Sequence, residues 1–261
     1  MKFLRFKDNG EIKTGYLDED NVVELERDIL DYFNMDIDKI KEETVKTRSL
    51  EDIEIIKPVD PSKVVCVGLN YKDHAAELGM ALPDHPIIFI KPSTAVIGPN
   101  ENITNPPASK QVGYEAELGV VIGKDCRNAS ADEADDYIFG YTILNDITAR
   151  DLQQYDEQWT RSKSFDSFCP IGPVIDNEFI PEDKIIQSFI NGEIRQDSNI
   201  SNMVFSPCEL VSFMSQVMTL KAGDVIATGT PPGVGPIGVG GVVDIKIEGL
   251  GTLTNKLINE D

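Results

Sequence analysis

Polar and apolar positions along this chain alternate in short runs, and most of the runs predict strands. Residues 3–6 and 13–17 predict a hairpin around Asp8-Asn9-Gly10, because Asn-Gly tolerates the positive φ of a tight turn. The charged segment 36–48 has weak helical periodicity, and residues 51–56 lead into Pro58-Val59-Asp60-Pro61, which has linker chemistry. Beyond it the apolar runs 64–67 and 86–90 predict buried strands around a short helical patch at 73–79. Further strands are expected at 114–122, 139–146, 173–175, 185–190, 224–228 and 242–247. A short acidic helix is expected at 131–137, and Leu210, Phe213, Met214 and Val217 give 209–219 a helical stripe suited to core packing. The pattern implies a mixed α/β, β-rich protein, with a small N-terminal domain at 1–58 and a larger domain at 59–261.

The run 114–122 carries two carboxylates that an ordinary buried strand would not. Side chains alternate along a strand, so Glu115 and Glu117 leave one face while Tyr114, Ala116, Leu118, Val120 and Ile122 line the other. Like charges side by side on an apolar strand repel unless a positive charge lies between them. Asp146, at the end of a second strand, is a third candidate ligand. Three carboxylates without an adjacent Cys or His make a hard oxygen site, suited to Mg²⁺, Mn²⁺ or Ca²⁺. The plainer alternative is a solvated sheet face.

Other residues gain meaning only in company. Glu77 follows His74 at i+3 on one helical face, an arrangement that orients an imidazole as a general base, although an isolated pair of this kind is usually a surface pair. Lys163 could neutralise a developing carboxylate or enolate, or lie solvated at the surface. The stretch Thr228-Gly229-Thr230-Pro231-Pro232-Gly233 allows close backbone approach to an anion, or is a plain turn. It lacks the Gly-Lys-Ser/Thr of a phosphate-binding loop. His85 reads as a loop residue without a role.

Composition narrows the partners. With 45 acidic against 24 basic residues the formal net charge is −21, which argues against nucleic acid as a partner and suits a protein living at high salt. An anionic substrate must then be held locally, by a metal ion or a few placed cations. No apolar run is long enough to span a membrane, and the first residues turn polar too soon for a secretory signal. Cys66, Cys126, Cys169 and Cys208 form no CxxC pair, so reduced thiols in a cytoplasmic protein are expected.

Taken in order, these fragments resemble the fumarylacetoacetate hydrolase family over roughly residues 60–255. The matching runs are Val67-Gly68-Leu69-Asn70-Tyr71 with His74 and Glu77, Ile88-Phe89-Ile90-Lys91-Pro92, and Tyr114-Glu115-Ala116-Glu117-Leu118. Gly140-Tyr141-Thr142, Asn145 to Asp151, Lys163-Ser164-Phe165-Asp166, Pro170 to Pro173, Asn191-Gly192-Glu193 and Gly223 to Pro231 continue the series. The resemblance implies a rolled-sheet catalytic domain, usually a homodimer, that binds Mg²⁺ or a similar cation through Glu115, Glu117 and Asp146. It implies a catalytic dyad of His74 and Glu77 and a substrate-facing Lys163, with Arg150 and Gln153 as neighbours. It also implies that Gly229 and Thr230 hold a substrate carboxylate, and that the segment 74–83 is a lid. Substrates implied are small 2-oxo or 2,4-dioxo acids. Hydrolysis of an acylpyruvate is the expected reaction, with isomerisation of 2-hydroxyhepta-2,4-diene-1,7-dioate and decarboxylation or tautomerisation of oxaloacetate as alternatives. A catalytically idle metal-binding homologue is the non-enzymatic one. The chain departs from the family pattern at Gly113, where Asp is common, and at Gly240-Gly241, where Gly-Asp is.

Overall fold

A computed structural model describes residues 1–260. The chain opens with β1 (Lys2–Asp8), β2 (Glu11–Asp18) and β3 (Asn21–Leu25). Asn9 and Gly10, with φ of 52° and 85°, close the first hairpin at the expected place, with Asp8 opposite Glu11. The segment 36–48 divides. Asp36 caps a six-residue helix, α1 (Ile37–Glu42), but the chain then turns into β4 (Thr44–Ser49), which pairs with β3. β-Branched Thr44, Val45 and Thr47 find a partner strand there, which outweighs the weak helical period. β5 (Glu54–Ile56) pairs with β1.

The remainder contains β6 (Lys63–Gly68), α2 (Lys72–Leu78), β7 (Ile87–Pro92), β8 (Val96–Ile97) and β9 (Asn102–Asn105). Next come β10 (Val112–Tyr114), β11 (Ala116–Ile122), β12 (Ile138–Asn145), β13 (Thr148–Ala149), α3 (Arg150–Tyr155) and α4 (Thr160–Lys163). β14 (Cys169–Asp176), β15 (Ile185–Ile190), β16 (Glu193–Asn199) and α5 (Pro207–Val217) follow. The last strands are β17 (Val225–Ala227), β18 (Gly235–Pro236), β19 (Val242–Ile247) and β20 (Gly251–Asn259). In place of the acidic helix expected at 131–137 there is a 3-10 turn over Ala134–Tyr137. Helix α5 is fixed by a capping box between Ser206 and Glu209 with Pro207 in its first turn. Its stripe buries Leu210 and Met214 but leaves Val217 exposed.

Twelve strands form one sheet, with the path β4-β3-β2-β1-β14-β12-β11-β17-β6-β7; β5 joins β1 and β8 joins β14. A second sheet, β16-β15-β19-β20-β9, and a small one, β13-β10-β18, accompany it. The N-terminal strands thus extend the large sheet through β1 and β14. Strand β11 is buried along its whole length. Ala116, Leu118, Val120 and Ile122 pack into a core with Ile186, Val243 and Ile245. Val121 points the other way, against a cluster containing Phe3, Val64 and Val225. Each buried aliphatic side chain contributes roughly 1.5–3 kcal/mol. With both faces covered, Glu117, the one carboxylate of this strand, is buried as well.

Candidate metal centre and its surroundings

The run 112–122 is broken at Glu115, between β10 and β11. The N–H groups of Glu115 and Ala116 are there taken by side chains: Asn145 Oδ1 accepts at 3.1 Å and Gln196 Oε1 at 3.0 Å. Asp146 follows β12 directly, and its N–H donates to the Glu115 carbonyl at 3.0 Å. This local geometry gathers Glu115, Glu117 and Asp146 so that one carboxylate oxygen from each lies within 4.8 Å of the others. All three are buried.

Three cations surround them. Lys163, at the end of α4, donates from Nζ to Glu115 Oε2 at 2.9 Å and to Asp146 Oδ2 at 2.7 Å. Arg150 Nη2 lies 2.5 Å from Glu115 Oε1, and Arg150 Nη1 donates to Gln153 Oε1 at 2.9 Å. Lys91, completely buried on β7, lies 2.6 Å from Asp146 Oδ1. Its ammonium donates to the carbonyls of Ile147 and Lys163, at 2.9 and 2.5 Å. The approach to Asp146 Oδ1 meets no hydrogen-bond geometry, so among the described residues that oxygen is held by the Lys91 charge and accepts no hydrogen bond. The solvated alternatives for Lys163 and for the glutamates are therefore set aside. Lys163 is walled by Phe89, whose ring centroid is 4.9 Å from Nζ, and Trp159 stands edge-on to Phe89 at 5.4 Å.

The electrostatics separate the two glutamates. Burial works to raise the Glu115 carboxyl, but Arg150 and Lys163 beside it hold it down to about 2. Among the described residues Glu117 has no ion-pair partner and accepts a hydrogen bond only from Gly229 N–H, at 2.7 Å. Burial, reinforced by the charges of Asp146 and Glu115, pushes its carboxyl well above the ordinary range. Burial depresses the Lys163 ammonium, and the Asp146 and Glu115 carboxylates more than reverse that. A divalent cation fits this donor set: it would ionise Glu117 and use the Asp146 oxygen that accepts no hydrogen bond. The nearby thiols do not compete, because burial raises Cys66 well above its usual value and Cys169 to about 12.

His74 on α2 is buried, and its Nδ1 is 2.8 Å from Glu77 Oε2. In the tautomer whose Nδ1 donates to Glu77, Nε2 is the ring nitrogen left with a free lone pair. Glu77 Oε1 accepts from Gly233 N–H at 3.1 Å, joining the pair to the loop after β17. In that loop Gly229 has φ of +91°, and a Cβ there would lie 2.7 Å from Asn70 Cβ, so only glycine brings its N–H onto Glu117. Thr230 is buried, and its Oγ1 accepts from Gln196 Nε2 at 2.7 Å. Gly113 also has a reason. A Cβ at that position would meet the Gly235 carbonyl at 2.8 Å and Arg150 Nε at 3.1 Å. Gly240, with φ of +85°, lies in the turn before β19. His85 is exposed on a loop, as expected.

Sequence reasoning gave no role to two buried residues. Lys91 interrupts an apolar strand, which was a visible signal; Gln196 sits in the polar run Glu193–Asn199, which carried none. A cleft of about 960 Å³ lies elsewhere, beside Phe33, Tyr141 and Phe179, and none of the metal-centre residues, nor His74 or Glu77, lines it.

Residues 63–258 match the family model described as fumarylacetoacetate (FAA) hydrolase C-terminal, and residues 1–55 match one described as Rv2993c-like, N-terminal. An uncharacterized protein of Methanocaldococcus jannaschii is 56% identical over 206 residues, 79% of this chain and 87% of its own. The oxaloacetate tautomerase YisK of Bacillus subtilis is 42% identical over 224 residues, 80% of this chain and 74% of its own. The crystal structure of 2-hydroxyhepta-2,4-diene-1,7-dioate isomerase from Mycobacterium marinum superposes with a TM-score of 0.89 at 38% identity, covering 100% of this chain and 99% of that one.

Proposed function

Because this chain belongs to the fumarylacetoacetate hydrolase family, we propose that it is a Mg²⁺-dependent hydrolase cleaving the C–C bond of an acylpyruvate-type 2,4-dioxo acid. The observation that carries the reading is the assembled pair His74–Glu77, tied through Gly233 to the loop whose Gly229 holds Glu117. A cation held by Glu115, Glu117 and Asp146 (Mg²⁺, with Mn²⁺ or Ca²⁺ able to use the same oxygens) supplies Lewis-acid polarisation of a 2-oxo carboxylate.

The protein's own groups do the rest. Thr230 receives the substrate carboxylate, with Gly229 shaping the loop beside it, its own N–H engaged by Glu117, and with Arg150 and Gln153 alongside. His74 Nε2 takes a proton from water, and the resulting hydroxide attacks the distal carbonyl carbon. The C–C bond then breaks, its electron pair forming the enolate of pyruvate, while the acyl fragment leaves as a carboxylic acid. Lys163 adds positive charge where the enolate develops, and a proton returned to carbon gives pyruvate. Residues 74–83 would act as a lid over this chemistry.

A second reading, proton transfer between the keto and enol forms of oxaloacetate, is supported by the named activity of the B. subtilis relative. His74 would then move a proton to and from carbon without delivering water. Within this proposal residues 1–58 are a small N-terminal domain and 59–261 the catalytic one. Four free cysteines fit a reducing cytoplasm. Exposed Leu78, Met80, Leu82 and Ile87 fit the face of a homodimer.

The test is Mg²⁺-dependent turnover of acetylpyruvate beside oxaloacetate. Acetate and pyruvate released in equal amounts from acetylpyruvate are expected. Turnover of oxaloacetate alone would replace hydrolysis with the second reading, and silence on both would favour the dienoate isomerase.

A further inference from the structure

Gln196 lies on β16 and is completely buried. An amide side chain can be read in two orientations, but here backbone groups of opposite polarity decide between them. Ala116 N–H can only donate, so the atom 3.0 Å from it is Oε1. The Pro231 carbonyl can only accept, so the atom 2.8 Å from it is Nε2. Reversal would set two donors against each other at one end and two acceptors at the other.

The same Nε2 donates to Thr230 Oγ1 at 2.7 Å. The hydroxyl oxygen is therefore an acceptor toward Gln196, and its own hydrogen has no acceptor among the described residues. Thr230 is only 7% exposed and follows Gly229, whose N–H lies on Glu117. A buried donor with an unused hydrogen beside the metal centre calls for an acceptor, and a substrate carboxylate supplies one.

We infer that Gln196 is a positioning residue that holds the Thr230 hydroxyl as a donor toward the substrate carboxylate. This rests on the reading of the site given above. Gln196 touches no reacting atom; it sets the polarity of a group that does. Without it nothing fixes the rotation of the Thr230 hydroxyl, which can then present lone pairs instead of its hydrogen to an anion.

The test is calorimetric binding of pyruvate at saturating Mg²⁺, and of Mg²⁺ alone, to the full chain and to Q196M, T230V and the double variant. Q196M is expected to weaken pyruvate binding about tenfold or more, the scale of a lost hydrogen bond to a charged group, with Mg²⁺ affinity unchanged. The double variant should bind no more weakly than T230V, because both changes remove one interaction. Pyruvate affinity unchanged in Q196M, additive losses, or a parallel loss of Mg²⁺ affinity would each overturn the inference. If Q196M does not fold, Q196N serves, since its amide is one methylene too short to span Ala116 and Thr230, and the same losses are expected. Failure of the wild-type protein to bind pyruvate with Mg²⁺, or a T230V variant that binds as tightly, would instead overturn the reading of the site itself, and this inference with it.

Discussion

Lys91→Met keeps the volume and apolar stem of the side chain and deletes the ammonium. The variant loses the 2.6 Å ion pair to Asp146 and the bonds to the Ile147 and Lys163 carbonyls at 2.9 and 2.5 Å. Removing one partner of a buried charge pair costs about 3–5 kcal/mol. Each carbonyl left without its donor adds on the order of 1 kcal/mol. Lys163 still bonds Asp146 Oδ2 at 2.7 Å, which offsets part of this, so the net remains about 3–5 kcal/mol. For a chain of this size each kcal/mol moves the melting temperature by about 2–4 °C, so a fall of roughly 6–20 °C is expected without metal. Mg²⁺ returns positive charge to the carboxylates. At a hundredfold excess over Kd it stabilises by about 2.7 kcal/mol, and by more in a variant that has lost a competing cation. The deficit must therefore narrow when Mg²⁺ is added. Melting followed by circular dichroism at pH 7, in a chelator and in saturating Mg²⁺, measures both quantities. A fall below about 3 °C would refute the counter-ion role of Lys91. A deficit equal with and without Mg²⁺ would mean that packing, not charge, is what Lys91 contributes.

Two further outcomes are expected. Because the Glu117 carboxyl is raised in the folded chain, its contribution to stability is present at low pH and is lost as pH rises through that raised value. The metal-free protein should thus melt lower as pH climbs above the ordinary carboxylate range, and E117Q should flatten that slope; an unchanged slope in E117Q would remove Glu117 as the cause. Glu115, held to about 2, acts only in the acid, where its contribution is lost as pH falls below the ordinary carboxylate range. His74→Ala should reduce acylpyruvate hydrolysis by about 10²–10⁴-fold while Mg²⁺ affinity by calorimetry stays near wild type; wild-type turnover in the variant would rule out His74 as the base.

What the sequence made legible was the local grammar. Asn9-Gly10 fixed a hairpin, and the apolar runs at 185–190 and 242–247 became β15 and β19 with the expected bounds. The carboxylate triad was legible because charge on a buried strand contradicts its own pattern. What stayed hidden depends on partners distant in sequence. The segment 36–48 becomes half strand only because β3 offers a ladder. Lys91 makes sense only beside Asp146 and Lys163, and Gln196 only beside Ala116 and Thr230. No local period encodes such meetings.

The pairing of β1 with β14 has a consequence for how this chain is born. Lys2 lies opposite Asp176, so this edge of β1 waits for a partner made roughly 170 residues later, on the order of ten to thirty seconds at ribosomal rates. During that wait β1 can close its hairpin with β2 on one edge and take β5 along Arg5–Lys7 on the other, so that only Lys2 and Phe3 stay open for β14. The sheet that carries Asp146 is then sealed from its beginning and its middle at once, and the amino terminus joins the catalytic sheet among the later events of folding.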